Sequence, residues 1–262
     1  MSYQLTDILD RCTRQDVDFL IDIIDSYVNF SDDQGLKELA GDWNGTGTIP
    51  LELNKKLETE IRYLGSNDFA YMTRKMRGYE PAGVSVDEII DDLSDLLKLK
   101  KSTASTLEAR LEIFSCDIVD KQFSKLSDER KREIINSMKF DKHHRDEIIK
   151  KVIDNKELIM PIILPILGKT IGPEVLQSFI VSILSTFIGK ESAQALFTVI
   201  LSRVPTLSPL LGPLMIIGTG VWTLYDISGP ASRKTITLML YLGILCLRDG
   251  ETKEFIEDLN NK

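Results

Sequence analysis

The chain has 262 residues, a formal net charge of -8 at pH 7 and a sequence pI near 5.0. This length is enough for one or two domains with a substantial core, so folding does not require disulfides or metals. Because the acidic balance offers no electrostatic footprint for nucleic acid, we expect no nucleic-acid partner. The three cysteines, Cys12, Cys116 and Cys246, lack a CxxC spacing, which favours a reducing compartment.

The opening residues, MSYQLTDILDRC, carry acids where a signal peptide needs a basic region followed by an apolar one. We therefore expect a cytoplasmic chain, placed at the inner face of the cell membrane if its apolar part associates with lipid. Thr13 is positioned to cap the first long helix. The apolar face of that helix is formed by Val17, Leu20, Ile21, Ile24 and Val28.

A second and a third helix are predicted before residue 66. Ser31 with Gln34 has the capping-box spacing, and the short helix that follows ends at Gly41. The run NGTG at 44–47 predicts a loop. Pro50 is placed to open the third helix, because proline in the first turn forfeits no helical hydrogen bond. We also expect a short helix over 67–77.

Serine and aspartate caps mark the helices between residues 85 and 156. Ser85 and Ser105 each stand three residues before a glutamate, which predicts two capping boxes. Ser127 predicts a helix through 135, and Asp141 predicts another through 153. Because no segment of this half alternates with period two, we predict an all-helical structure.

The sequence changes character after residue 156, and seven of the nine prolines lie between 161 and 230. Predicted helices here span 173–188, 192–203, 210–225 and 232–248. The predicted fold is all-α, with an amphipathic helical N-terminal half packed with an apolar multi-helix C-terminal half. Its four segments are an N-terminal helical module (1–84), a charged helical segment (85–156), an apolar region (157–248) and a charged tail (249–262).

The run 204–225 contains no charged residue, and its length decides how it is interpreted. A helix that spans the roughly 30 Å hydrocarbon layer needs about twenty residues. Pro205, Pro209 and Pro213 interrupt the run, and the part from Leu210 would cover only about 24 Å. No unambiguous transmembrane helix is predicted.

Two interpretations of the apolar region stay open. In the first, 207–225 and 232–248 form a hairpin that associates with a membrane or inserts conditionally, with Trp222 and Tyr225 at its charged end. In the second, the same helices are the core or oligomer interface of a soluble interaction or assembly-chaperone protein. The residues predicted to contact a membrane or partner are Leu210, Leu211, Leu214, Met215, Ile216, Trp222, Tyr225, Asp226 and Arg233.

The motifs of the sequence predict no catalytic, cofactor or metal site. Gly168 begins a Gly-Lys-Thr run, but Ile163 stands where a phosphate-binding loop needs glycine. His143 and His144 lie on a charged stretch that is typical of a solvated helix face. No cysteine or serine has the surroundings of a nucleophile, so we predict a protein that is not an enzyme.

Four aspartates form an acidic cluster on the helix that Ser85 caps. The cluster consists of Asp87, Asp91, Asp92 and Asp95. Acids at i and i+4 repel one another unless a cation or basic group lies against them. The cluster is therefore interpreted as a solvated face, or as a docking patch for a basic partner.

Several segments spread along the chain resemble the YaaW-like family of bacterial proteins. They are LDRCTRQDVDFLIDII, LETEIRYLGSNDFAYMTRKMRG, LKLKK followed by STLEARL, and SGPASRKTI followed by ILCLR. The resemblance implies a helical bacterial protein that is cytoplasmic or membrane-associated, related by distant analogy to a respiratory-complex assembly chaperone. It implies no catalytic residue. Where family members carry a glycine-rich run, this chain has the proline-richer LSPLLGPLMIIGTG.

Overall fold

The computed structural model describes residues 5–25, 33–65, 78, 83–137, 141–163, 230–249, 255 and 257. Within these residues the secondary structure is helical and contains no strand, so the predicted all-α class is confirmed. The chain divides into two compact units. Unit one consists of 1–114 and 227–254, and unit two consists of 115–226 and 255–262. The four-segment division stays a prediction, because most of 157–248 lies outside the described residues.

Nine α-helices and one π-helix lie within the described residues. In chain order they are α1 (Leu5–Leu9), α2 (Arg14–Asp25), α3 (Asp33–Asp42), α4 (Leu51–Leu64), α5 (Val86–Leu97), α6 (Leu107–Lys125), α7 (Asp128–Ser137), α8 (Lys142–Ile149), the π-helix Lys150–Asp154, and α9 (Pro230–Asp249). Helix α6 contributes its residues up to Phe114 to unit one and the remainder to unit two.

Side-chain caps start several helices where the sequence predicted them. The Thr13 hydroxyl accepts a hydrogen bond from the Asp16 backbone N–H at 3.4 Å, and the Asp16 carboxylate accepts from the Thr13 N–H at 2.7 Å. This reciprocal pair satisfies donors that a helix start leaves without an intrahelical acceptor. Ser85 accepts from the N–H of Glu88, and Ser127 accepts from that of Arg130.

Two sequence predictions need correction. The hydroxyl that accepts at the start of α6 is that of Thr106, bonded to the Ala109 N–H, so the helix begins one residue later than Ser105 predicts. The helix that Asp141 opens becomes a π-helix over its last turn. In the charged tail, Phe255 is fully buried.

Helix α9 is the central packing element of unit one. It contacts α1, α2, α4 and α5. Its side chains Leu238, Met239, Leu242 and Cys246 have no exposed surface. The Thr235 hydroxyl also donates to the carbonyl of Leu64 at the end of α4. The core of unit one therefore joins residues near the two ends of the sequence.

A buried polar contact fixes α9 against α2. The hydroxyl of Tyr241 donates to Asp16 Oδ1 at 2.6 Å, and the Asp16 side chain is fully buried. Thr13 supplies two more donors to the same carboxylate, from its backbone N–H and its hydroxyl. The Tyr241 ring packs on Phe19 with a centroid separation of 4.4 Å. Since a buried carboxylate is costly unless it accepts hydrogen bonds, these donors make its burial tolerable.

Unit two, in its described part, is built from consecutive helices. Helix α7 contacts α8, and α8 continues directly into the π-helix. Ile148, Val152 and Ile153 are buried on this continuous stretch. A longer connection runs from the Met160 N–H to Asp120 Oδ1 at 2.8 Å, which attaches the chain after the π-helix to the end of α6.

Candidate functional site

Most residues predicted to contact a membrane or partner lie outside the described residues. These are Leu210, Leu211, Leu214, Met215, Ile216, Trp222, Tyr225 and Asp226. Arg233 is a residue of α9. The predicted helices over 67–77, 173–188, 192–203 and 210–225 also fall outside the described residues.

The predicted second arm of the hairpin, 232–248, falls within α9 and is a core element of unit one. Its apolar composition is explained by the four helices that cover it, as expected for a helix that is apolar on several faces. Across the helices that the structure describes, none combines the length and the hydrophobicity that crossing a bilayer requires.

The acidic cluster on α5 is partly neutralised within the chain. Arg110 of α6 donates to Asp87 at 2.9 Å and to Asp91 at 2.5 Å. Lys101 pairs with Asp95 at 2.7 Å, and this hydrogen bond raises the pKa of Lys101 above its ordinary value. The basic group that the aspartate spacing requires is therefore supplied by α6 and the loop before it. Asp92 is the member of the cluster without an ion pair among these contacts, and the docking patch for a basic partner stays a prediction.

The two histidines belong to the start of α8. Asp141 caps this helix by accepting from the His144 backbone N–H at 3.0 Å, and its second oxygen lies 2.5 Å from His144 Nδ1. The backbone bond is the largest cause of a lowered pKa at Asp141, followed by the side-chain bond. Among the described residues, no three side chains of His, Cys, Asp or Glu are grouped to hold a metal ion. His144 is thus engaged with the residue that caps its own helix.

A cleft of about 110 Å³ lies in unit two, and we call it the unit-two cleft. Its apolar walls come from Phe123 of α6, Val152 of the π-helix and Ile159. These three residues are buried, whereas Leu158 is one of the two exposed large hydrophobic residues in the described part of the chain. The polar side chains that line the cleft are Asp120, Ser124, Lys131, Lys156 and Glu157.

An unusual backbone path forms one side of the unit-two cleft. The Asn155 N–H donates to the carbonyl of Lys150, the wider spacing that defines a π-helix. Lys156 follows with φ 62°, a left-handed conformation that residues with a Cβ disfavour. Single π-helical turns and left-handed residues other than glycine occur often at functional sites.

The charged groups of the unit-two cleft centre on Asp128 of α7. Lys156 Nζ lies 3.3 Å from both Asp128 carboxylate oxygens, and Lys131 Nζ lies 3.8 Å from one of them. Ser124 has its hydroxyl engaged by the carbonyl of Lys121. The described cleft therefore combines charged groups of both signs with apolar walls, and its one hydroxyl, on Ser124, donates to a backbone carbonyl.

No feature of the sequence indicated this cleft. Lys131 and Lys156 stand on opposite sides of α8 and the π-helix in the sequence. Both lie in charged stretches that are typical of a solvated surface. The end of the predicted helix at 153 carries no glycine, so nothing marked a left-handed residue at Lys156. Only the packing of α6, α7 and the π-helix brings these side chains together.

The chain was compared with known proteins. It is 28% identical over 215 residues to a UPF0174 protein of Helicobacter pylori, a match that covers 76% of this chain and 73% of that protein. No protein-family model matches the chain. No solved structure matches it. The similarity supports a relation to bacterial proteins of this kind, and the YaaW-like resemblance stays a prediction.

Proposed function

We propose that the chain is a non-enzymatic helical interaction protein, in which unit one is a scaffold and residues 164–229 contact an apolar partner. The burial of α9 in unit one carries this proposal. This helix belongs to the apolar half, yet its hydrophobic residues serve protein packing. We extend the same role, burial against protein, to the apolar residues that precede it.

The sequence of 164–229 supports a contact role. Among these 66 residues only six are charged, and eight of the nine predicted contact residues lie here. Both flanks are fixed in packed structure, because Ile163 is fully buried on one side and α9 is a core helix on the other. A long segment that carries so few charges supports a contact role, because contiguous apolar surface marks interaction sites where it is exposed.

Sedimentation of the full-length chain in detergent-free buffer tests the proposal, with a second copy of the chain as the first partner examined. The Leu211→Asp/Leu214→Asp double variant should dissociate the assembly, because two carboxylates in an apolar interface cost several kcal/mol unless they are paired. The matched control is Leu51→Asp, at a leucine that is 68% exposed in unit one. A wild-type chain that stays monomeric at high concentration, or a double variant that still assembles, would count against this form of the proposal.

Membrane association is a second candidate, favoured by the uncharged run 204–225. If the run 204–225 inserted into a bilayer as a hairpin with 232–248, then α9 would have to leave unit one. The helices α1, α2, α4 and α5 would then expose to water the apolar side chains that α9 covers, at roughly 1.5–3 kcal/mol for each fully uncovered large side chain, and a few such side chains approach the whole stability of a domain. We therefore expect any lipid contact to be made by residues before α9, without unfolding unit one.

The two tryptophans allow a direct test of this second candidate. With Trp43→Phe, fluorescence reports only on Trp222, and anionic vesicles should shift its emission to the blue if the run 204–225 meets lipid. With Trp222→Phe, fluorescence reports on Trp43, which is buried in unit one. A change at Trp43 would indicate that insertion opens unit one, and no change at either tryptophan would exclude the membrane candidate.

A further inference from the structure

We infer that Asn44 is a site of spontaneous modification, at which the side-chain amide is converted to a carboxylate. Asn44 lies in the loop between α3 and α4, and it is exposed. It is the only asparagine of the sequence that a glycine follows. The reaction takes place within unit one and is independent of the partner that residues 164–229 contact.

The reaction needs only water besides the chain itself. The Gly45 nitrogen bonds to Asn44 Cγ, its proton passes to hydroxide, and the Asn44 side-chain nitrogen leaves as ammonia. Because the two reacting atoms belong to neighbouring residues, closure of this succinimide ring avoids the entropy cost of a bimolecular encounter. Water then breaks one of the two C–N bonds of the ring and leaves aspartate or isoaspartate. Either product adds a negative charge to unit one, and isoaspartate also lengthens the main chain by one atom.

The attacking nitrogen belongs to a position that requires glycine in this fold. Gly45 has φ 77°, a left-handed conformation, and a Cβ there would lie 2.6 Å from the Cβ of Arg14. Arg14 is itself fixed, because its guanidinium donates to the Trp43 carbonyl at 2.5 Å. Among the described residues, none accepts a hydrogen bond from the Gly45 N–H. The nitrogen therefore carries no side chain that hinders its approach to Asn44, and its proton is not held by an acceptor.

Thr46 supplies donors that stabilise the intermediate of this reaction. Its backbone N–H donates to Asn44 Oδ1 at 3.0 Å, and its hydroxyl donates to the same oxygen at 2.7 Å. When the Gly45 nitrogen adds to Asn44 Cγ, this oxygen acquires the negative charge of a tetrahedral intermediate. Donors that are already placed at a developing oxyanion lower the barrier. The Trp43 indole N–H donates to the Thr46 carbonyl at 3.3 Å, which helps to hold these donors in place.

Peptide mapping by mass spectrometry, after the full-length chain is incubated at neutral and at mildly alkaline pH, tests the inference. We expect Asn44 to become a mixture of aspartate and isoaspartate, faster at the higher pH because the attacking nitrogen must lose a proton. Two internal controls should keep their amides: Asn54, which is 1% exposed inside α4, and exposed Asn155, which precedes a residue with a side chain, Lys156. An Asn44 that stays an amide, or that reacts no faster than Asn155, would overturn the inference.

Variants of the loop test the role of the Thr46 hydroxyl. Thr46→Val keeps the branched side chain and should slow the reaction about two- to tenfold, the modest effect of one hydrogen bond that is open to water. Thr46→Ser keeps the hydroxyl, and Thr48→Val alters another exposed threonine of the same loop, so both should react as the wild type does. Circular dichroism checks that the variants fold. An unchanged or higher rate in a folded Thr46→Val would refute the role of Thr46. Should that variant be unfolded, the wild-type comparison of Asn44 with Asn155 still decides the site.

Discussion

Unit one and the described part of unit two are stabilised over different distances along the sequence. In unit one, α9 packs against helices that lie more than 130 residues earlier, and Tyr241 reaches back 225 residues to Asp16. In unit two, α7, α8 and the π-helix follow one another, and many of their polar contacts lie within four residues, such as Glu147 with Lys151. Unit one should therefore depend on long-range packing, and this part of unit two on local helix contacts.

This difference shows why one apolar helix is an unreliable sign of a membrane contact. Helix α9 has the composition that suggested a hairpin arm. The helices that it packs against lie near the opposite end of the sequence. Packing against distant helices makes such a segment part of a core, so its removal should destabilise all of unit one. Perturbations of unit two should instead remain close to the altered residue.

The largest expected effect comes from Leu242→Ala in α9. Leu242 is fully buried, so the variant should lose about 2–5 kcal/mol of unfolding free energy through lost burial and the cavity left behind. Urea denaturation followed by Trp43 fluorescence in a Trp222→Phe background measures this. Leu51→Ala, at a leucine that is 68% exposed, is the matched control and should change stability by less than about 0.5 kcal/mol. Equal effects at the two sites would contradict the central role of α9.

Tyr241→Phe should have the next largest effect. It keeps the ring that packs on Phe19 and removes the donor to the buried Asp16 carboxylate. We expect a loss of about 1.5–3 kcal/mol in the same urea experiment. Asp18→Asn removes a surface pair with Arg14 in the same helix and should cost less than about 1 kcal/mol. If Tyr241→Phe were the milder change, the buried contact would not be what fixes α9.

A smaller effect, of opposite sign, is expected at the two left-handed lysines. Lys98 in unit one has φ 54°, and Lys156 in unit two has φ 62°. Glycine at either position should stabilise its unit by about 0.5–1 kcal/mol, because it adopts this conformation without a Cβ clash. Lys55→Gly, inside α4, should instead destabilise by about 1 kcal/mol.

Hydrogen exchange measured on the two glycine variants distinguishes the two units. In Lys156→Gly, slower exchange should be confined to amides near the π-helix, such as the Glu157 N–H that donates to the Lys151 carbonyl. In Lys98→Gly, the slowing should extend over more of unit one. A change spread through both units by Lys156→Gly would refute the local character of unit two.

The smallest effect is a pH dependence at the start of α8. The folded-state pKa of Asp141 is lowered below 3.8 by the backbone N–H and then the ring of His144. Its stabilising contribution is therefore complete well above pH 3.8 and is lost as the pH falls through the lowered folded-state pKa. A carboxyl NMR titration should give a midpoint below 3.8. Asp141→Ser keeps a capping oxygen and should remove this pH dependence, whereas a midpoint above 3.8 would contradict the assignment.

The sequence by itself predicted the helical class and several helix starts, because these depend on contacts three or four residues apart. Thr13, Ser85 and Asp141 cap where their spacing indicated. Tertiary structure decided what the sequence could not: that α9 lies among α1, α2, α4 and α5, that Arg110 pairs with both Asp87 and Asp91, and that the π-helix and Lys131 line one cleft. Each of these depends on residues distant in sequence, and periodicity shows that a face is apolar without showing what covers it.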